Sequence, residues 1–245
     1  MVSFKELKAR WRQFFRFSKQ ELYGIIGGIL ITGFIFSFRL WGGETFDWAV
    51  GLRNFLLTTL AAAISFFGHI SCQKLYALSA GYIAEFKTWW AGLLIALVLA
   101  FVSVGHLTLV LAGTVSLVFM VKQRLGQFRY GYSVEERAIT GLWGILGSLI
   151  FAALFRIGNL FWPEAVFFER GLMISLIFAI CSVLPLPWLE GLNIFFGSRG
   201  IYWVSVVVVL GATLLLLWGG VWGLVFGIVM GLVIGGIAIL YGSEI

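Results

Sequence analysis

The chain has 245 residues, of which 61% are hydrophobic and only 11% charged, with a mean hydropathy of +1.02. A water-soluble domain of this length carries about a quarter charged residues to keep its surface wet, so the composition excludes a soluble globule and makes lipid the solvent for much of the surface. The net charge of +6 does not point to nucleic acid, because six of the seventeen basic residues lie in 1–22, where a membrane surface accounts for them.

In chain order, 1–22 interleaves Phe4, Leu7, Trp11, Phe14 and Phe15 with Lys5, Lys8, Arg10, Arg12, Arg16 and Lys19. That spacing predicts an amphipathic helix whose basic face lies in the headgroup layer, not a cleavable signal peptide. A single transmembrane domain, 23–245, follows, with apolar segments at 23–38, 55–72, 89–104, 107–121, 138–155, 171–186, 201–218 and 221–241. Several are shorter than the ~20 residues of a full crossing. Segment 107–121, β-branched around Gly113, reads as a span or as a re-entrant hairpin. The expected fold is therefore an all-α polytopic bundle of about seven spans.

With the N-terminus cytoplasmic and all segments crossing, the cytoplasmic side holds the six N-terminal basic residues, Lys74, Lys87, Lys122, Arg124, Arg129, Arg137 and Arg199; the far side holds Arg39, Arg53, Arg156 and Arg170. Thirteen against four obeys the positive-inside rule. The same arrangement brings the end of the second span, near His69, to the depth of Glu190 after the sixth. Gly219, Gly223, Gly227, Gly231 and Gly235 line one face of the last span, and Gly24 and Gly28 one face of the first, as helix-packing devices. Glu135 and Glu136 after Ser133 read as a capped helix start, and His106 as structural. Cys72 and Cys181 lie in apolar runs and predict no disulfide framework.

His69-Ile70-Ser71-Cys72-Gln73-Lys74 ends an apolar helix, and Gly81-Tyr82, Glu85-Phe86 and Trp90 follow. Further on come Ala112-Gly113-Thr114-Val115, Trp143-Gly144-Ile145-Leu146-Gly147-Ser148, and Ser182-Val183-Leu184-Pro185-Leu186-Pro187-Trp188-Leu189-Glu190-Gly191. In order and spacing these stretches resemble the site-2 protease family of intramembrane zinc metalloproteases, in its longer archaeal form: H-E-x-x-H, then P-G-A-V, A-G-P-x-x-N and N-L-L-P-x-P-P-L-D-G. The resemblance covers about 55–200, leaving 201–241 as a glycine-rich pair of spans.

What the resemblance implies is a degenerate protease. In H-E-x-x-H two imidazoles one turn apart bind zinc and the glutamate activates water. Here His69 remains, Gln73 replaces the second imidazole, and Ile70 replaces the base with a side chain that cannot accept a proton. Glu190 stands for the family's aspartate ligand, and Ser148 and Ser182 for its asparagines. The favoured reading is a catalytically inactive protease-like membrane protein that binds transmembrane segments or serves as a subunit of a membrane complex, with no resident cofactor. Its partners are then lipids and other membrane helices, not nucleic acid. The competing reading is an atypical metalloprotease whose zinc is held by His69 and Glu190 with Cys72 and Cys181, all legitimate donors. A transporter or channel component rests only on the span count, since no internal repeat or mid-span ionic pair is visible. The protease-like readings require a polar cleft between the second and sixth spans, with His69 beside Glu190.

Overall fold

The computed structural model describes residues 4–42, 46–119, 134–218 and 220–243. A short helix α1, Phe4–Phe14, leads into α2, Lys19–Ser37, and the 33-residue α3, Trp48–Ala80. Strand β1, Tyr82–Thr88, the 13-residue α4, Trp90–Val102, and strand β2, Gly113–Phe119, form an excursion from the bundle. Then come α5, Val134–Phe161, α6, Val166–Val183, the two-turn α7, Glu190–Gly197, and the hairpin α8, Arg199–Trp218, with α9, Gly220–Ser243. Among the described residues six helices (α2, α3, α5, α6, α8 and α9) are long and apolar enough to cross a bilayer. The chain is an all-α polytopic membrane protein with, among the described residues, one small antiparallel sheet.

Local chemistry sets the boundaries. Ser18 caps α2 in a reciprocal box with Glu21, and the Asp47 carboxylate accepts from Ala49 N and Val50 N at the start of α3. At its other end α3 stops at Gly81, whose φ of +88° is left-handed, and Arg10 of α1 donates to the Leu78 carbonyl at 3.1 Å. The second span was expected to end at Cys72, before the polar pair Gln73 and Lys74. It continues because both side chains find buried partners, described below. Hydroxyls inside the spans bond back one turn, as Thr58 to Asn54 O and Ser205 to Ile201 O do, and Ser65 also reaches Ser175 at 2.8 Å, joining α3 to α6.

The described part of segment 107–121, residues 107–119, is not a helical span. β1 and β2 pair over their full lengths, from Tyr82 with Phe119 to Thr88 with Gly113, so the two ends of 89–112 lie side by side. The chain runs out along α4, turns at Val104 and Gly105 (φ +52° and +73°), and returns without helix. Gly113 is fixed by this sheet: its φ is +136° and a Cβ there would strike the Lys87 carbonyl. An excursion whose two ends lie side by side has the same parity as the two crossings expected from sequence.

The C-terminal glycines divide. A Cβ at Gly223 would strike the Leu215 carbonyl and one at Gly227 would meet Leu216 at 2.9 Å, both on α8, while Gly235 faces Leu146 of α5. At Gly231 a Cβ would meet nothing within 4 Å. Gly24 of α2 packs on Thr88 and Gly28 on Phe66. Gly219, Lys122, Arg124, Arg129 and the proposed cap Ser133 lie outside the described residues.

Candidate functional site

The site is built on the second half of α3, held against α5 by a strip of glycines three residues apart. A Cβ at Gly141 would meet Glu190 at 3.0 Å. One at Gly144 would press on the Gln73 amide and on His69 Nε2, and one at Gly147 on the Gly68 carbonyl and, at 3.0 Å, on Cys72 Sγ. Absence of side chains at Gly144 and Gly147 lets α3 and α5 close, and at Gly141 it makes room for Glu190 of α7.

Glu190 arrives from the other direction. Pro185 and Pro187 cannot extend α6, and the chain turns tightly through bonds from Leu186 N to Leu184 O and Leu189 N to Leu186 O. Trp188 takes a left-handed φ of +68° in this turn. Glu190 thereby becomes the first residue of α7, and Gly191 is required beside it, since a Cβ there would strike the Val183 carbonyl.

The residues meet. His69 Nδ1 lies 2.8 Å from Ser148 Oγ, and His69 Nε2 lies 3.4 Å from Glu190 Oε1. The Gln73 amide donates to the same Oε1 at 3.1 Å, and the imidazole stacks on Phe178 of α6 with centroids 4.2 Å apart. With Nε2–H facing the carboxylate, Nδ1 is left to accept from the Ser148 hydroxyl. His69, Gln73 and Ser148 are fully buried and Glu190 is 1% exposed, so the polar cleft expected from sequence is instead a closed polar cluster. Gln73 Oε1, Glu190 Oε2 and Ser182 Oγ are buried and accept no hydrogen bond. The cluster can hold and orient a proton between serine, imidazole and carboxylate.

The other expected positions fall elsewhere. Ile70 is buried toward α2, where with Phe17, Leu22, Ile25, Ile29 and Phe67 it lines an apolar groove of about 370 Å³. Cys181 sits in an apolar cluster with Leu111 and Leu189, and Cys72 lies against Gly147. Among the described residues no group of three or more His, Cys, Asp or Glu side chains is placed to hold a metal ion. His69 and Glu190 are two donors, one short of the three protein ligands of a catalytic zinc site, and the Gln73 amide turns its N–H toward the carboxylate. This donor set does not fit zinc.

Sequence reading missed a second buried cluster one residue along α3. Lys74 Nζ pairs with Glu21 Oε1 at 2.8 Å and also donates to Ala84 O and Arg16 O, while Phe86 N donates to Glu21 at 2.8 Å. Lys74 and Glu21 are 3% and 4% exposed. The pair ties α2, β1 and the 15–18 segment to α3. Its signal was present as Ser18-x-x-Glu21, a capping-box spacing inside the stretch assigned to the interfacial helix. Glu136, assigned to a helix start, is buried and accepts from Tyr76 OH at 3.2 Å. Burial first, and then the Glu136 carboxylate, push the Tyr82 hydroxyl above its ordinary range.

Over 203 residues the chain is 24% identical to a protein of Methanocaldococcus jannaschii named "Putative zinc metalloprotease MJ0611"; the match spans 83% of this chain and 97% of that one. No family model matches the chain, and no solved structure does.

Proposed function

We propose that this chain is a catalytically inactive, site-2-protease-like membrane protein that binds transmembrane segments or serves as a subunit of a membrane complex. The observation that carries the reading is Ile70. At the position where the resemblance calls for a water-activating carboxylate, an alkyl side chain closes the wall of an apolar groove between α2 and α3. A groove of that chemistry receives an apolar helix and has no group to activate water. The meeting of His69, Ser148 and Glu190, far apart in sequence, supports a protease-like ancestry, as does the similarity to a protein named for zinc proteolysis. The basic-residue bias supports a cytoplasmic N-terminus, with α1 lying on the anionic surface.

The test is zinc content per chain, by elemental mass spectrometry, on purified protein and a His69→Ala variant, paired with photo-crosslinking from position 67 in the groove. Zinc well below one per chain in both proteins, with crosslinks to a membrane helix, is the expected result. Near-stoichiometric zinc that disappears in the variant would overturn the reading in favour of an atypical metalloprotease.

A further inference from the structure

A second cavity, of about 450 Å³, opens at the end of the bundle opposite Lys74 and Glu21. Its walls come from three separate elements: the end of α2 with Arg39, the turn after α4 with His106 and Thr108, and the start of α6 with Arg170. Ile35, Phe36, Met173 and Ile177 line its deeper, apolar side. None of the described lining residues is acidic.

The cations are poorly neutralised. Arg39 forms no hydrogen bond or ion pair with a described residue, and its stem packs against Gly105, a left-handed glycine that leaves no room for a Cβ. Among the described residues Arg170 has one carboxylate neighbour, the half-exposed Glu169 at 3.5 Å, and its Nε is buried without a partner. His106 Nδ1 donates to Ser103 O at 2.8 Å, which leaves Nε2 unused. Two guanidiniums brought to one concavity repel one another, and an anion placed between them removes that repulsion. Guanidinium forks match the oxygens of a phosphate.

We propose that this cavity binds a phosphate oxyanion through the guanidiniums of Arg39 and Arg170, with His106 on its wall. The polar mouth over an apolar floor suits the headgroup and glycerol region of an anionic phospholipid, and the same donors would hold free phosphate. Arg39 and Arg170 are among the four basic residues on the side that the charge rule leaves sparse, and anion binding gives them a role there.

The experiment is native mass spectrometry of the full chain in detergent, titrated separately with phosphatidylglycerol, phosphatidylcholine and inorganic phosphate. It uses wild type, Arg39→Gln, Arg170→Gln, the double variant, and Arg199→Gln as a basic-residue control at the other end. Size-exclusion profiles establish that each variant is folded. Each single variant is expected to weaken binding about tenfold, as for one lost charge-assisted bond, with the control unchanged. Selective retention of phosphatidylglycerol over phosphatidylcholine, lost in the double variant, identifies a lipid headgroup. Phosphate binding that the double variant abolishes, without lipid selectivity, identifies free phosphate. Equal retention of both lipids with no phosphate binding overturns the proposal, and so does anion binding that survives in the double variant. Should a single variant fail to fold, the other carries the same test.

Discussion

Two buried carboxylates touch α3 within two turns, and they are treated differently. Glu21 is saturated: it takes the Lys74 ammonium, the Phe86 amide and the Ser18 amide, and Lys74 fills its remaining donors with carbonyls. Glu190 receives bonds at Oε1 from His69 and Gln73, while Oε2 and the neighbouring Gln73 Oε1 accept none. Fully connected buried networks fix a structure; partly connected ones mark places shaped by something other than stability. The first is a strut. The second leaves acceptors unfilled, Glu190 Oε2 and Gln73 Oε1 among them.

The same substitution at both carboxylates gives the largest contrast. Glu21→Gln leaves the Lys74 charge buried without a counter-ion and is expected to destabilise the fold by about 3–5 kcal/mol, read as a large fall in melting temperature in detergent. Gly144→Leu drives a side chain into His69 and Gln73; overpacking of about 1–3 kcal/mol is expected, together with lost crosslinking from position 67 if the helix pair splays. Glu190→Gln keeps the shape and alters an acceptor shared by the Gln73 amide and the His69 imidazole, so a change near 1 kcal/mol is expected. Equal destabilisation by Glu190→Gln and Glu21→Gln would erase the distinction and make His69–Glu190 a structural ion pair. Smallest is Ser182→Ala, which deletes a hydroxyl without a partner and is expected to leave stability within about 0.5 kcal/mol or raise it slightly.

Hydropathy alone made the membrane class and most span positions legible, because lipid enforces a simple rule on every exposed helix face. It failed where polar residues are satisfied internally: α3 runs on through Gln73 and Lys74 because Glu190 and Glu21 are waiting in space, a fact invisible to a window of local sequence. The strand pair was equally hidden, since apolar β-branched runs at 113–119 read alike as strand or span until a partner at 82–88 is known. Motif spacing brought His69 to Glu190 correctly. The openness of the site was misjudged, because the Gly141, Gly144 and Gly147 strip that closes it carries its information in missing atoms.

The length of α3 has a consequence for where the site lies. Trp41, Phe46 and Trp48 form a mutually packed ring cluster at its beginning, with Phe46 and Trp48 exposed, the kind of aromatic anchor that settles at a bilayer's edge. Measured from Trp48, His69 stands roughly 32 Å along the helix axis, against about 30 Å of hydrocarbon. The imidazole is therefore borne to the opposite boundary of the oily layer, and its immersion is governed by helix tilt and membrane thickness. In a thin bilayer the cluster stands level with the headgroups; in a thick one it lies beneath them, and at either depth protein encloses His69.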